Sequence, residues 1–152
     1  MTSLVSIYNN FGVADGLIED SYFSSFFFIN SLFEFEYVGA DSNFAIRRVN
    51  VTGFNDLDHH RSYFANYFPG YRGAFLDVYL AGVGSSALIE DSYFYSNFAF
   101  ENGLLFYTYY LDNLTFINTT FQDNSNINFM MTVLSEVNIT SCLFQNNTSK
   151  EP

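Results

Sequence analysis

Short apolar runs bounded by Gly, Asn, Asp and Ser recur along the chain. Phe44-Ala45-Ile46, Phe75 to Leu80, Leu104 to Tyr107 and Phe129 to Leu134 are rich in β-branched and aromatic residues. That composition, with turn residues on both sides, predicts strands. Leu4 to Tyr8 reads the same way. No segment keeps a 3.6-residue apolar period over a useful length, so no helix is predicted.

The runs belong to a repeat. The heptapeptide LIEDSYF occupies Leu17–Phe23 and returns unchanged at Leu88–Phe94. Looser copies end at Phe54 (RRVNVTGF), Phe121 (LTFINTTF) and Phe144 (VNITSCLF). Five residues before each terminal Phe stand Ile18, Val49, Ile89, Phe116 and Ile139; two before it stand Ser21, Thr52, Ser92, Thr119 and Cys142. The anchors Phe23, Phe54, Phe94, Phe121 and Phe144 are spaced by 31, 40, 27 and 23 residues. Two or three short strands per unit fit those lengths, with the 40-residue step holding either one unit plus a loop or two units. Stacked units touch only their neighbours, so equivalent residues form columns. A Phe column at the strand spacing of ~4.8 Å allows ring stacking, beside a column of small residues. Asn97, Asn124 and Asn147 follow three of the anchors by three residues, a spacing suited to a corner because Asn tolerates left-handed backbone.

Phe94-Tyr95-Ser96-Asn97, Phe121-Gln122-Asp123-Asn124 and Phe144-Gln145-Asn146-Asn147 resemble the Phe-x-x-Asn repeats of surface and autotransporter passenger proteins. Those belong to the right-handed parallel β-helix, or pectin-lyase-like, family. The family's companion Gly-Gly-Ala-Ile stretch survives weakly, as Arg72-Gly73-Ala74-Phe75 and Asn102-Gly103-Leu104-Leu105. The resemblance implies an all-β fold: a right-handed parallel β-helix (β-solenoid) of about five or six coils. It implies little about activity, because unrelated functions share this scaffold.

Composition narrows the partners. The 152 residues suit one domain. Sixteen acids face five Lys and Arg, for a net charge of −11, which argues against nucleic acid or an anionic membrane as a partner. Uncharged stretches such as 21–33 fall short of the ~18–20 apolar residues of a spanning helix, so no transmembrane segment is expected. The first twenty residues lack a basic region and do not read as a signal peptide. A lone Cys142 makes no internal disulfide, and in the small-residue column it reads as an inert thiol.

Candidate chemistry is sparse. Asp56-Leu57-Asp58-His59-His60-Arg61 and Arg72 concentrate both histidines and, with Arg47 and Arg48, four of the five bases. In the resembled family, polysaccharide lyases use acids to hold calcium and an Arg or Lys as base. Here the carboxylates are not spread over successive coils, and the segment reads as a solvated loop inserted around 55–73. No nucleophile elbow, metal-ligand spacing or cofactor motif is present. Tyr109 and Tyr110 are candidate carbohydrate or protein contacts. N-glycosylation sequons stand at Asn50, Asn113, Asn118, Asn138, Asn146 and, overlapping, Asn147. Strand alternation turns Asn50 and Asn138 outward if their apolar neighbours point in, and Asn147, in the corner column, is a poorer acceptor than Asn146.

The expectation is a single β-solenoid domain over residues 1–152, whole or part of a longer chain. It is expected to act outside the cell or on its surface, as a non-enzymatic structural or adhesive protein without cofactor or metal. Covalent N-glycans and head-to-tail self-association, or flanking domains of a longer chain, complete the picture of a filament, stalk or coat. The alternative is a carbohydrate-binding or polysaccharide-degrading β-helix using Asp56–Arg72.

Overall fold

The computed structural model describes residues 5–7, 12–24, 32–53, 55–56, 74–79, 81–99, 104–125 and 128–148. Among them are strands and turns and no helix. Three five-stranded sheets are formed. The first contains β1 (Val5–Ile7), β4 (Phe33–Glu36), β8 (Ala74–Tyr79), β12 (Leu104–Tyr109) and β15 (Asn128–Val133). The second contains β2 (Gly16–Glu19), β5 (Asn43–Arg47), β9 (Ser86–Glu90), β13 (Asn113–Ile117) and β16 (Glu136–Thr140). The third contains β3 (Tyr22–Ser24), β6 (Asn50–Thr52), β10 (Tyr93–Tyr95), β14 (Thr120–Gln122) and β17 (Leu143–Gln145). β7 (Asn55–Asp56) and β11 (Phe98–Ala99) form a separate two-stranded sheet. Every pairing is parallel. The chain visits the first, second and third sheets in turn and then returns to the first, an order compatible with a β-solenoid.

The register corrects the sequence alignment of the second repeat. Phe23, Val51, Phe94, Phe121 and Phe144 are partners across the third sheet. Val51 therefore takes the place assigned to Phe54, which lies outside the described residues. In the second sheet the column is Ile18, Ile46, Ile89, Phe116 and Ile139, so Ile46 replaces Val49. Val49 instead joins the small-residue position with Ser21, Ser92, Thr119 and Cys142, and Thr52 lies three residues further on, at the end of β6. Steps between equivalent residues are 28, 43, 27 and 23. The 43-residue step runs from one strand to its immediate sheet neighbour, so it carries one unit with an insertion. Asp58, His59, His60, Arg61 and Arg72 lie outside the described residues.

Aromatic rings fill the space between the sheets. Phe94 stacks on Phe121 at 5.1 Å and Phe121 on Phe144 at 5.0 Å, near parallel in both cases. Phe75 meets Phe23, Phe33 and Phe94 edge to face, supplying rings around the column where Val51 has none. Full burial of each such side chain contributes roughly 1.5–3 kcal/mol, which lets strands of three residues persist.

The corners explain the small and Asn columns. Asp20, Arg48, Asp91, Asn118 and Ser141 all have positive φ and turn the chain from the second sheet to the third. One residue later, the hydroxyls of Ser21, Ser92 and Thr119 donate to the carbonyls of Glu19, Glu90 and Ile117, at 2.8–2.9 Å. The Cys142 thiol makes the same contact with Thr140, at 3.4 Å. At the next corner the left-handed residues are Gly53, Ser96, Asp123 and Asn146. Asn97, Asn124 and Asn147, expected to supply that geometry, come just after it and form a ladder instead. Asn97 Nδ2 donates to Asn124 Oδ1 and Asn124 Nδ2 to Asn147 Oδ1, each at 2.8 Å. The same Oδ1 atoms accept the backbone N–H groups of Asn97 and Asn124.

Candidate interaction surfaces

Three surfaces carry exposed or chemically concentrated groups. The first lies on the outer side of the first sheet. Phe33 and Phe35 alternate with Glu34 and Glu36, and Leu76 and Val78 alternate with Asp77 and Tyr79. Parallel register sets Glu34 beside Asp77, Asp77 beside Tyr107, and Glu36 beside Tyr79, which is followed by Tyr109. Glu34, Asp77 and Tyr107 are nevertheless buried, at 7, 8 and 2% exposure. Tyr79 and Tyr109 stack at 5.0 Å, with Tyr37 edge-on to Tyr79 and Tyr110 edge-on to Tyr109. The candidate contacts Tyr109 and Tyr110 thus form one tyrosine cluster with Tyr37 and Tyr79. The hydrogen bond with Tyr110 holds the Tyr109 hydroxyl above the usual tyrosine range.

Burial, and then the nearby Glu34 charge, push the Glu36 carboxyl above its ordinary range. A carboxyl whose folded pKa is raised stabilises most below its unfolded pKa of ~4.3 and loses that contribution as pH rises through the folded value. Glu36→Gln is expected to raise stability at pH 7 and to flatten its change between pH ~4 and neutrality. Urea midpoints measured across that range check this; superimposable profiles for the two proteins would refute it.

Among the described residues, the bases Arg47 and Arg48 pair with other carboxylates. Arg48 bonds Asp20 and Glu19, at 2.6 and 2.9 Å, and Arg47 pairs with Glu90 at 3.3 Å. The Arg48 guanidinium holds the Asp20 carboxyl below its usual range. No group of three His, Cys, Asp or Glu side chains among the described residues could hold a metal ion. No helix there is long and apolar enough to cross a membrane.

The second surface consists of the sequons. Asn50, Asn113, Asn118, Asn138 and Asn146 are all exposed. Asn118 Nδ2 donates to Asp91 at 2.6 Å and Asn146 Nδ2 to Asp123 at 3.1 Å. Asn147 Nδ2, bonded to the Phe121 carbonyl at 2.7 Å, is committed to the ladder.

The third surface is the face beyond β15, β16 and β17, each an edge strand. Ile139 and Phe144, in inward columns, are both 46% exposed, whereas Phe116 and Phe121 one strand earlier are 0 and 1% exposed. Sequence reasoning missed two further features. Ser42 and Ser85, just before β5 and β9, form a buried hydroxyl pair bonded to the Gly39 carbonyl, and the carboxylates of the first sheet gather by register alone. A repeated Ser-Asn/Ser pair before β5 and β9 was the available signal for the former. No protein-family model matches the chain, and neither does any curated protein or solved structure.

Proposed function

We propose that the chain is a right-handed parallel β-solenoid of five coils that serves as a non-enzymatic structural or adhesive module, extracellular and N-glycosylated. It acts by stacking further β-coils, from a neighbouring copy or from flanking parts of a longer chain, on the face beyond β15, β16 and β17, in a surface filament, stalk or coat. The observation that carries the reading is the half-exposure of Ile139 and Phe144 in columns buried elsewhere. Three adjacent unpaired strand edges and an apolar end are a template for pairing. Contact by one end with a different surface is heterologous and propagates unless the rotation closes a ring. Exposure of all five preferred sequons supports the glycoprotein part.

Purified 152-residue protein is expected to associate at micromolar concentration, more strongly as salt screens the net −11 charge. Ile139→Asp with Phe144→Asp should abolish association while leaving the far-ultraviolet spectrum unchanged. Light scattering and electron microscopy check this, and a monodisperse wild-type monomer would overturn the stacking. A carbohydrate-processing module is the second reading, favoured by Glu34, Glu36 and Asp77 meeting tyrosines on one face. Depolymerisation of a polysaccharide that Asp77→Asn abolishes would favour it over the first.

A further inference from the structure

In a chain with sixteen acids, the five strands of the third sheet contain no charged residue. Phe23, Val51 and Phe94 face inward and pack in the core, so the alternate positions face outward. Asn50 lies on that outer face, in register between Tyr22 and Tyr93. Tyr22 is 67% exposed, a large apolar ring left in water. Tyr93 is held in place: its hydroxyl donates to Gln122 at 3.0 Å, and its ring lies parallel to that of Tyr95, 5.7 Å away. Thr52, the hydroxyl residue of the sequon, shares the face with Asn50.

The other sequons lack these surroundings. Asn113 stands between Ser86 and Glu136, and Asn138 beside Thr115. Asn118 and Asn146 hydrogen-bond to carboxylates. Asn50 is the sequon with aromatic side chains on both sides among the described residues.

We propose that Asn50 carries an N-glycan whose first uncharged, N-acetylated sugars lie on this face, their C–H groups packed against Tyr22 and Tyr93. The inference rests on the glycoprotein reading above. In the attachment step Nδ2 displaces pyrophosphate from the anomeric carbon of a lipid-pyrophosphate-linked oligosaccharide. The C–N bond forms, the C–O bond breaks, the amide loses one proton, and the lipid pyrophosphate leaves with no redox change. The neutral face matches the neutral inner sugars, and the rings offer the apolar contact that hydroxyl-rich strands would not.

The test uses the 152-residue chain produced in a secretory host that N-glycosylates. Glycopeptide mass spectrometry follows release of sugar from the native protein by a peptide-N-glycosidase. Asn50 is expected to be occupied, and Tyr22→Ser with Tyr93→Ser should accelerate its release by about tenfold through loss of two ring contacts. Tyr22→Phe, which keeps the ring, should leave release slow. Tyr22→Ser alone, at an exposed position, provides a variant whose fold is not at risk. Equal thermal unfolding of the sugar-free variants and wild type shows that the rings act on the glycan and not on the fold. Asn50 occupied but released at a rate indifferent to both tyrosines overturns the inference. So does an empty Asn50 beside another occupied sequon, while the glycoprotein reading stands. Sugar at no sequon overturns both.

Discussion

Phe121→Ala is expected to lower stability by ~3–5 kcal/mol, the range for removing a large ring from a core that collapses only partly. Phe121 is 1% exposed and touches five rings. Phe94 and Phe144 stack on its two faces, and Phe106, Phe116 and Phe129 meet it edge-on. Its removal therefore takes contacts from three sheets and from the strands on both sides at once. For a chain of this size the loss should appear as a fall in melting temperature of roughly 6–20 °C. Phe144→Ala supplies the internal comparison. Phe144 is half exposed and meets two rings, Phe121 stacked and Phe129 edge-on, against five at Phe121, so the same deletion there should cost under ~2 kcal/mol. Reversible urea unfolding measures both. A Phe121→Ala loss below ~1 kcal/mol, or equal losses at the two positions, would mean that the column is not the core.

The second large effect belongs to the ladder. Asn124 is 2% exposed and uses both ends of its amide. Its oxygen accepts from the backbone and side-chain nitrogens of Asn97, at 3.1 and 2.8 Å. Its nitrogen donates to the Phe94 carbonyl at 3.0 Å and to Asn147 Oδ1 at 2.8 Å. Asn124→Ala removes all four bonds, three of them buried, and each buried polar group deprived of its partner costs ~1–3 kcal/mol. The expected total is at least ~3 kcal/mol, with loss of hydrogen-exchange protection at the Asn97 amide. Asn124→Asp separates acceptor from donor. The carboxylate still accepts from Asn97 but faces the Phe94 carbonyl and Asn147 Oδ1 without a proton, so its folded pKa should be raised. A raised carboxyl stabilises most below its unfolded pKa of ~3.9 and loses that contribution as pH rises through the folded value. Asn124→Asp should therefore recover stability in acid relative to wild type, while Asn124→Ala should not. A pH-independent deficit in both variants would assign the loss to packing and not to hydrogen bonding.

Local chemistry that repeats was readable from the residues alone. LIEDSYF at two places, and Asn three residues after Phe94, Phe121 and Phe144, announced strands, columns and a duplicated unit, because each stacked unit poses the same packing problem. Alternation also placed Asn50 and Asn138 on the outside, where both are exposed. The second unit misled because Val51 occupies a Phe position with a Phe three residues away. Side-chain identity favours Phe54, whereas the register obeys backbone hydrogen bonds that link Asn50 to Ser21 and Tyr93 to Val49. The same distinction decided the Asn column. Composition identifies a corner residue, but only the neighbouring strand shows that residues 96, 123 and 146 absorb the positive φ while the amides bond between units. The candidate surfaces were the least legible. Glu34 and Asp77 are forty-three residues apart and become neighbours because β4 pairs with β8. Tyr22, Asn50 and Tyr93 share a face for the same reason. A strand's period of two states which residues share a side; which residues stand beside them is settled by pairing between distant segments, and that follows from burying the whole core together.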